Sequence, residues 1–392
     1  MGSWIDCTLA DLGTVVGGAT PSTKQEENYL NGTIPWITPK DLSTLSGRFI
    51  SRGERNITQR GLDSCSAQLM PKHSVLFSSR APIGYVAISK CELCTNQGFK
   101  SIVPNSRTDY MFLYYLLKYN KNAIENMGSG TTFKEVSGST MKGIRVRVPA
   151  DKEEQTRIAG ILSAIDDKIE ENERINCNLE QQAQEIFNSE FLQFDTVPDG
   201  WKESDLLKIA DYLNGLAMQK YRPKDDETGI PVLKIKELRQ GACDASSELC
   251  SPNIKAEYIV NNGDVIFSWS GSLLVDFWCG GICGLNQHLF KVTSTKYEKW
   301  FYYAWTKYHL QRFIAIAADM ATTMGHIKRE ELAKANVLIP SGEDYHRIGE
   351  CLSPIYDLII SNRVENQRLA TLRDTLLSKL MNGEIDVSEV EI

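Results

Sequence analysis

The chain has 392 residues, enough for two to four domains of ordinary size. Hydrophobic residues make up 42% and charged residues 24%, which excludes a disordered, collagenous or small disulfide-framework chain. The net charge of −7 argues at first sight against a nucleic-acid partner, but the charge is unevenly placed: residues 1–150 carry a net +6, 151–194 a net −7, 195–340 a net −1 and 341–392 a net −5.

No run approaches ~18 consecutive apolar residues, so no membrane span is expected. Residues 1–6 lack the basic and apolar regions of a secretory signal, so the ten cysteines are expected to be reduced thiols of a cytoplasmic protein. Cys91-x-x-Cys94 and Cys279-x-x-x-Cys283 resemble metal half-sites, but neither has a His pair at ligand spacing nearby. They read as small residues on buried strands, and no metal site is expected.

In chain order, residues 72–78 and 85–88 read as strands around a turn, Ser79-Arg80-Ala81-Pro82-Ile83-Gly84. Residues 109–119 read as a helix with an aromatic face. The first 150 residues therefore suggest an α+β globule. Beyond them, Ile158, Leu162, Ile165, Ile169, Asn172, Asn176, Leu179, Ala183 and Ile186 alternate spacings of four and three, a heptad seam on a long helix.

The pattern then repeats at an offset near 190. Ile34-Pro35-Trp36-Ile37 recurs as Ile230-Pro231-Val232-Leu233, Val75-Leu76-Phe77-Ser78 as Val265-Ile266-Phe267-Ser268, Asn96-Gln97 as Asn286-Gln287, and Arg157-Ile158 as Arg347-Ile348. The second seam is Ile348, Leu352, Ile355, Ile359, Asn362, Asn366, Leu369, Arg373, Leu376 and Leu380. Both copies place two Asn at matching positions, which favours packing of the two helices on each other in a fixed register. Pro354 is expected to kink the second helix or delay its start. The chain thus divides into a globule at 1–150, a helix at 151–194, a second globule at 195–340, a second helix at 341–382 and a tail at 383–392. An antiparallel helix pair of this length, roughly 45–60 Å at 1.5 Å per residue, matches about 13–18 base pairs. Two related modules on such a spacer suit a bipartite ligand, of which duplex DNA is the commonest.

The ordered set of motifs resembles the specificity subunit of type I restriction-modification systems. It comprises Gly18-Ala19-Thr20-Pro21-Ser22, Trp36-Ile37-Thr38-Pro39-Lys40-Asp41-Leu42, Ser78-Ser79-Arg80-Ala81-Pro82-Ile83-Gly84-Tyr85 and Thr95-Asn96-Gln97-Gly98-Phe99, followed by Glu154-Gln155 with Ile158-Ala159 and by Pro198-Asp199-Gly200-Trp201. The resemblance covers essentially the whole chain. It implies two target-recognition domains that each bind one half of a split double-stranded DNA target, with an antiparallel two-helix coiled coil setting the gap. It further implies two methyltransferase subunits using S-adenosylmethionine, and motor-nuclease subunits using ATP and Mg, with no cofactor bound and no catalysis performed by this chain. The second half departs from the pattern: Trp269-Ser270-Gly271-Ser272 stands where Ser79-Arg80-Ala81-Pro82 stands in the first, and His288 follows Asn286-Gln287 where Gly98 follows Asn96-Gln97.

Candidate DNA contacts in the first half are Lys40, Arg80, Lys100, Thr131, Thr132, Lys134, Arg145 and Arg147, basic or hydroxylic residues near loops and strand ends. In the second half they are Lys220, Arg222, Lys224, Lys234, Lys236, Arg239, Lys328 and Arg329. The alternative for each is solvated surface charge. Trp36, Tyr85 and Trp269 suit stacking but more often pack in cores. Asn96-Gln97 and Asn286-Gln287 suit adenine edges, yet recurrence in domains of differing specificity favours a structural role. Asp166, Asp167, Glu170, Glu171 and Glu173 are expected to line the first helix opposite its seam, where they would dock a basic partner or face solvent.

No H-E-x-x-H, G-x-S-x-G or phosphate-loop spacing occurs, so an enzyme is not expected. The competing reading is a non-enzymatic scaffold whose duplicated domains bind proteins.

Overall fold

The computed structural model describes residues 3–80, 82–130, 134–319, 327–388 and 390. The chain divides into two compact units, Met1–Glu170 with Leu369–Ile392, and Glu171–Arg368. Each unit takes one globular block and parts of both long helices.

Among its described residues the first unit holds ten strands, β1 (Trp4–Thr8), β2 (Gly13–Gly17), β3 (Ile34–Ile37), β4 (Phe49–Ile50), β5 (Arg55–Ile57), β6 (Val75–Phe77), β7 (Val86–Ser89), β8 (Cys94–Thr95), β9 (Lys100–Pro104) and β10 (Arg145–Pro149). Five of them form a sheet in the order β2-β9-β6-β7-β4, three form β5-β3-β8, and β1 pairs with β10. The register of β10 follows its alternation: Val146 and Val148 are buried while Arg145 and Arg147 are exposed. The helix Tyr110–Tyr119 begins where the Asp109 carboxylate accepts from the amides of Met111 and Phe112. It buries Phe112, Leu113, Tyr115 and Leu116 in a core with Val75, Phe77, Ile88 and Ile102. Ile158 and Leu162 of the first long helix, Lys152–Phe191, share that core with Leu377 and Leu380 of the second, Gly342–Met381.

The second unit repeats this plan with β11 (Lys202–Asp205), β12 (Asp211–Asn214), β13 (Ile230–Leu233), β14 (Leu249–Cys250), β15 (Ile259–Val260), β16 (Val265–Ser268), β17 (Leu274–Phe277), β18 (Cys283–Leu285), β19 (Leu289–Thr293) and β20 (Asn336–Ile339). Its sheets run β12-β19-β16-β17 and β14-β13-β18-β15, and β11 pairs with β20. The duplication extends to register. Trp36 lies opposite Cys94 in a parallel pair, as Val232 does opposite Gly284. The core is more aromatic, with Tyr212, Phe267, Trp300, Phe301, Tyr303 and Phe313 buried around the helix Lys299–Asp319.

Within the second unit the long helices run antiparallel. The Asn172 amide donates to Asn366 at 2.8 Å, the Asn362 amide to Asn176 at 2.9 Å, and Arg347 meets Glu190 at 2.7 Å. Of the seam residues, Ile158, Leu162, Asn172, Asn176, Ile348, Leu352, Ile359 and Asn362 are buried, whereas Ile165, Ile169, Leu179, Ile355, Asn366 and Leu369 are half-buried. Pro354 does not delay the start of the second long helix. The helix runs unbroken from Gly342 to Met381 with Pro354 inside it and exposed, so the Glu350 carbonyl left without its amide partner can be hydrated.

No helix among the described residues is long and apolar enough to cross a membrane. Among those residues no group of three His, Cys, Asp or Glu is gathered as a metal site; Cys94, Cys279 and Cys283 are buried free thiols.

Candidate nucleic-acid interface

In the first unit the turn after β6 is built from the inside. The buried Ser78 hydroxyl donates to the Pro82 carbonyl at 2.8 Å and accepts from the Tyr85 amide at 2.8 Å. The Ser79 amide donates to Gly98, and the Ser79 carbonyl accepts from the Val136 amide at 2.9 Å. These bonds set Arg80 opposite Glu135 in a short antiparallel bridge. The Arg80 guanidinium lies 3.8 Å from the Glu135 carboxylate, which also holds Lys100 at 3.2 Å. Lys134 is exposed beside them. Thr131 and Thr132 lie outside the described residues.

The same frame recurs in the second unit. The Ser268 hydroxyl donates to the Ser272 carbonyl at 2.9 Å, and the Trp269 carbonyl accepts from the Ile327 amide at 3.0 Å. Ser78 bridges to Phe99 as Ser268 pairs with Leu289. Ser270 therefore takes the place of Arg80, His288 that of Gly98, and Phe290 that of Lys100. The Ser270 hydroxyl meets His288 Nδ1 at 3.1 Å, and Gln287 meets the other ring nitrogen at 3.4 Å. The Trp269 indole donates to Asn214 at 3.0 Å.

The recurring Asn residues hold backbone. Asn96 Oδ1 accepts from the Gly98 amide at 2.9 Å and Asn286 Oδ1 from the His288 amide at 3.3 Å. Gly18 and Gly215 pack against these turns, where an added Cβ would stand 2.0 and 2.3 Å from the Asn96 and Asn286 carbonyl oxygens. Trp36 is buried with its indole donating to Ala19, and Tyr85 packs at the edge of a core cluster.

The other basic candidates fall into separate groups. Lys40, on the short helix Pro39–Ser43, pairs with Glu54 at 2.8 Å, a contact that raises its pKa. Arg145 and Arg147 occupy the outer face of β10, the latter over the Trp4 ring. In the second unit Arg222 and Lys234 converge on Glu248, Arg222 at 2.8 Å, and the Lys234 contact holds the Glu248 carboxyl below its usual range. Lys236 bonds Ser246 at 2.8 Å and Asp244 at 3.3 Å. Lys220, Lys224 and Arg239 are exposed. Lys328 stands at the N-terminal end of the helix Arg329–Ala333 without a side-chain bond to it, and Arg329 reaches the Tyr212 carbonyl at 3.4 Å.

Of the acidic residues on the first long helix, Asp166 needs correction. Asp166 faces inward, buried, accepting from the Tyr115 hydroxyl at 2.7 Å and paired with Arg373 at 2.8 Å. Asp167 and Glu170 clasp Arg48, a residue the sequence reading passed over. Its side chain is 3% exposed, and its guanidinium bonds Glu170 at 2.9 Å. Burial opposes its charge, yet the two carboxylates raise its pKa. Glu171 pairs with Arg174 at 2.6 Å on the same helix, and Glu173 is exposed. The helical spacing placed these carboxylates away from the seam. It could not show that the globular block reaches them with Arg48.

The duplicated frame and differing side chains accord with comparisons with known proteins. The type I restriction modification DNA specificity domain matches twice, over residues 1–181 and 198–371. The chain belongs to that family. It is 34% identical to the Type I restriction enzyme MjaIX specificity subunit of Methanocaldococcus jannaschii, over 99% of this chain and 94% of that protein. It is 20% identical to the HindI specificity subunit of Haemophilus influenzae, over 70% and 77%. Among solved structures, the type I restriction-modification system S subunit from M. genitalium matches with a TM-score of 0.60 at 16% identity, over 97% and 96% of the two chains. Each match takes one globular block with part of the long helix that follows it, so the chain carries the specificity domain twice.

Proposed function

We propose that each specificity domain binds one half of a bipartite duplex-DNA target, and that the helix pair sets the number of base pairs between the halves. The observation that carries this is one backbone frame built twice with exchanged side chains at the same turn: Arg80 and Gly98 in the first domain, Ser270 and His288 in the second. Two copies of one frame bearing different side chains suit two different half-sites. Affinity comes largely from Lys and Arg contacts to phosphate, and base-edge contacts supply selectivity.

The chain itself performs no catalysis in this reading. Two methyltransferase subunits bring S-adenosylmethionine, and motor-nuclease subunits bring ATP and Mg; the complex works in the cytoplasm. Asp167, Glu171 and Glu173 lie on the exposed surface of the first long helix, where they would dock a basic subunit surface.

The test is a methylome. The chain is expressed with its methyltransferase subunit in a methylation-free host, and modified bases are mapped. A two-part motif with a fixed gap is expected, changing in one half only when residues 1–150 are exchanged for those of a relative. A soluble complex that adds no motif would favour the protein-binding scaffold.

A further inference from the structure

The two domains share a frame at the turn after β6 and β16, but the group projecting from it comes from opposite sides. In the first domain the turn supplies Arg80, and the facing strand end supplies only Gly98. In the second the turn supplies a small Ser270, and the strand end supplies His288, 3.1 Å from it. The neighbours change in concert: Ser79 and Lys100 give way to Trp269 and Phe290, whose rings lie 5.7 Å apart. The hydroxyl clamp of Ser78 or Ser268 and the Asn96 or Asn286 turn stay the same. Residues needed only to hold the turn are the ones that persist. Those that exchange are free of that duty.

We propose that Arg80 reads a guanine in one half-site and that His288, braced by Ser270, reads the corresponding position of the other. This deepens the half-site reading above and rests on it. Arg80 is suited to the task for three reasons. Its side chain is 35% exposed, so its donors can reach a groove. Glu135 stands 3.8 Å away and limits its swing, which makes Glu135 a positioning residue. Glu135 also shares its charge with Lys100 at 3.2 Å, so it does not occupy the whole fork of five N–H donors. A guanidinium fork matches the O6 and N7 acceptors of guanine in the major groove. The fork also matches phosphate, so a change of base preference, and not a loss of affinity, is what marks a guanine contact. In the second domain Ser270 holds Nδ1 of the imidazole at 3.1 Å, while Nε2 lies 3.4 Å from Gln287, a long contact that a base edge can replace, so His288 offers a single nitrogen and no fork.

The experiment maps methylation by the complete complex carrying wild-type chain, R80A, R80K, E135Q or H288A. For R80A, one guanine position in one half-site should lose its preference by about 5- to 150-fold, the discrimination a bidentate contact provides, while the other half-site is unchanged. R80K keeps the charge and loses the fork, so the same position should relax; it carries the test if R80A does not assemble. E135Q should relax that position more weakly, and H288A should relax a single position in the other half. An unchanged motif in R80A and R80K overturns the proposal, as does a uniform fall in methylation with base preference intact, the mark of a phosphate contact. If the wild-type complex yields no two-part motif, the half-site reading fails and this one with it. A wild-type motif with unaltered variants overturns this one alone.

Discussion

The guanidinium of Arg373 on the second long helix lies 2.8 Å from the carboxylate of Asp166 on the first, and the Tyr115 hydroxyl donates to the other oxygen of that carboxylate at 2.7 Å. Both charges are largely shielded, with side chains 18% and 6% exposed. A pair of this kind is most sensitive to losing one partner, because the remaining charge has been taken out of water. R373M should therefore lower unfolding stability by about 3 kcal/mol, with a smaller loss when D166L is added. Urea denaturation of R373M, D166L and the double variant checks this; a double loss equal to the sum of the two single losses would show that the pair is not coupled.

The two Asn pairs of the seam, Asn172 with Asn366 and Asn176 with Asn362, are exchanged by the internal repeat, since Asn172 corresponds to Asn362 and Asn176 to Asn366. N362A removes one partner of a buried amide and should destabilise by roughly 1–3 kcal/mol. Replacing all four by Leu should raise the denaturation midpoint, because satisfied apolar seams pack more stably than polar ones. The polar pairs fix axial alignment, so the fourfold Leu variant should methylate sites with more than one gap length. A single sharp gap in its methylome would assign register to other contacts.

Much of this was legible because it depends on local spacing or repetition. The heptad steps from Ile158 to Leu179 found the seam, and the recurring Asn-Gln found the second frame. The aromatic face over residues 109–119 found the helix Tyr110–Tyr119. What stayed hidden depends on long-range closure. Arg48 lies 119 and 122 positions before the carboxylates it clasps, so spacing could not pair them. Arg363 joins Asp276 at 2.6 Å and Glu180 at 2.7 Å, the reverse polarity, with the cation now on the helix. Asp166 was misplaced for a related reason. Its position, one step after Ile165, was assigned to the outer face, but Arg373 at a seam position of the other helix reaches it. Glu135 carried no motif at all and became visible only as the shared partner of Arg80 and Lys100.

His309 gives the second domain its own acid sensitivity. Its ring is buried, with Nε2 2.8 Å from the Asn336 carbonyl, and burial pushes its pKa down from the usual value. The folded state thus binds the proton less readily than the unfolded chain. Its contribution is fully present above the unfolded value, about 6.5, and is lost progressively as pH falls below that towards the lowered folded value. Thermal midpoints measured from pH 7.5 to 5 should fall for the wild type through this window. H309Q should show a shallower decline, even if its midpoint at pH 7.5 is lower. Parallel pH profiles would remove His309 from the account.

Salt separates the two kinds of DNA contact proposed for the first domain. Neutralising each phosphate releases counterions, so the logarithm of the association constant falls with the logarithm of salt at about 0.9 per contact. Lys134 is exposed and has no ion-pair partner among the described residues, so it is available to a phosphate. K134A should reduce the slope by roughly 0.9 and weaken cognate and non-cognate duplexes alike. Lys40 must first leave Glu54, 2.8 Å away, so K40A should change the slope less. Arg80, if it meets a base edge, contributes to the difference between cognate and non-cognate duplexes and little to the slope. Titrating the methyltransferase complex with both duplexes from about 50 to 200 mM salt resolves these effects. A slope lowered by R80A as much as by K134A would place Arg80 on phosphate.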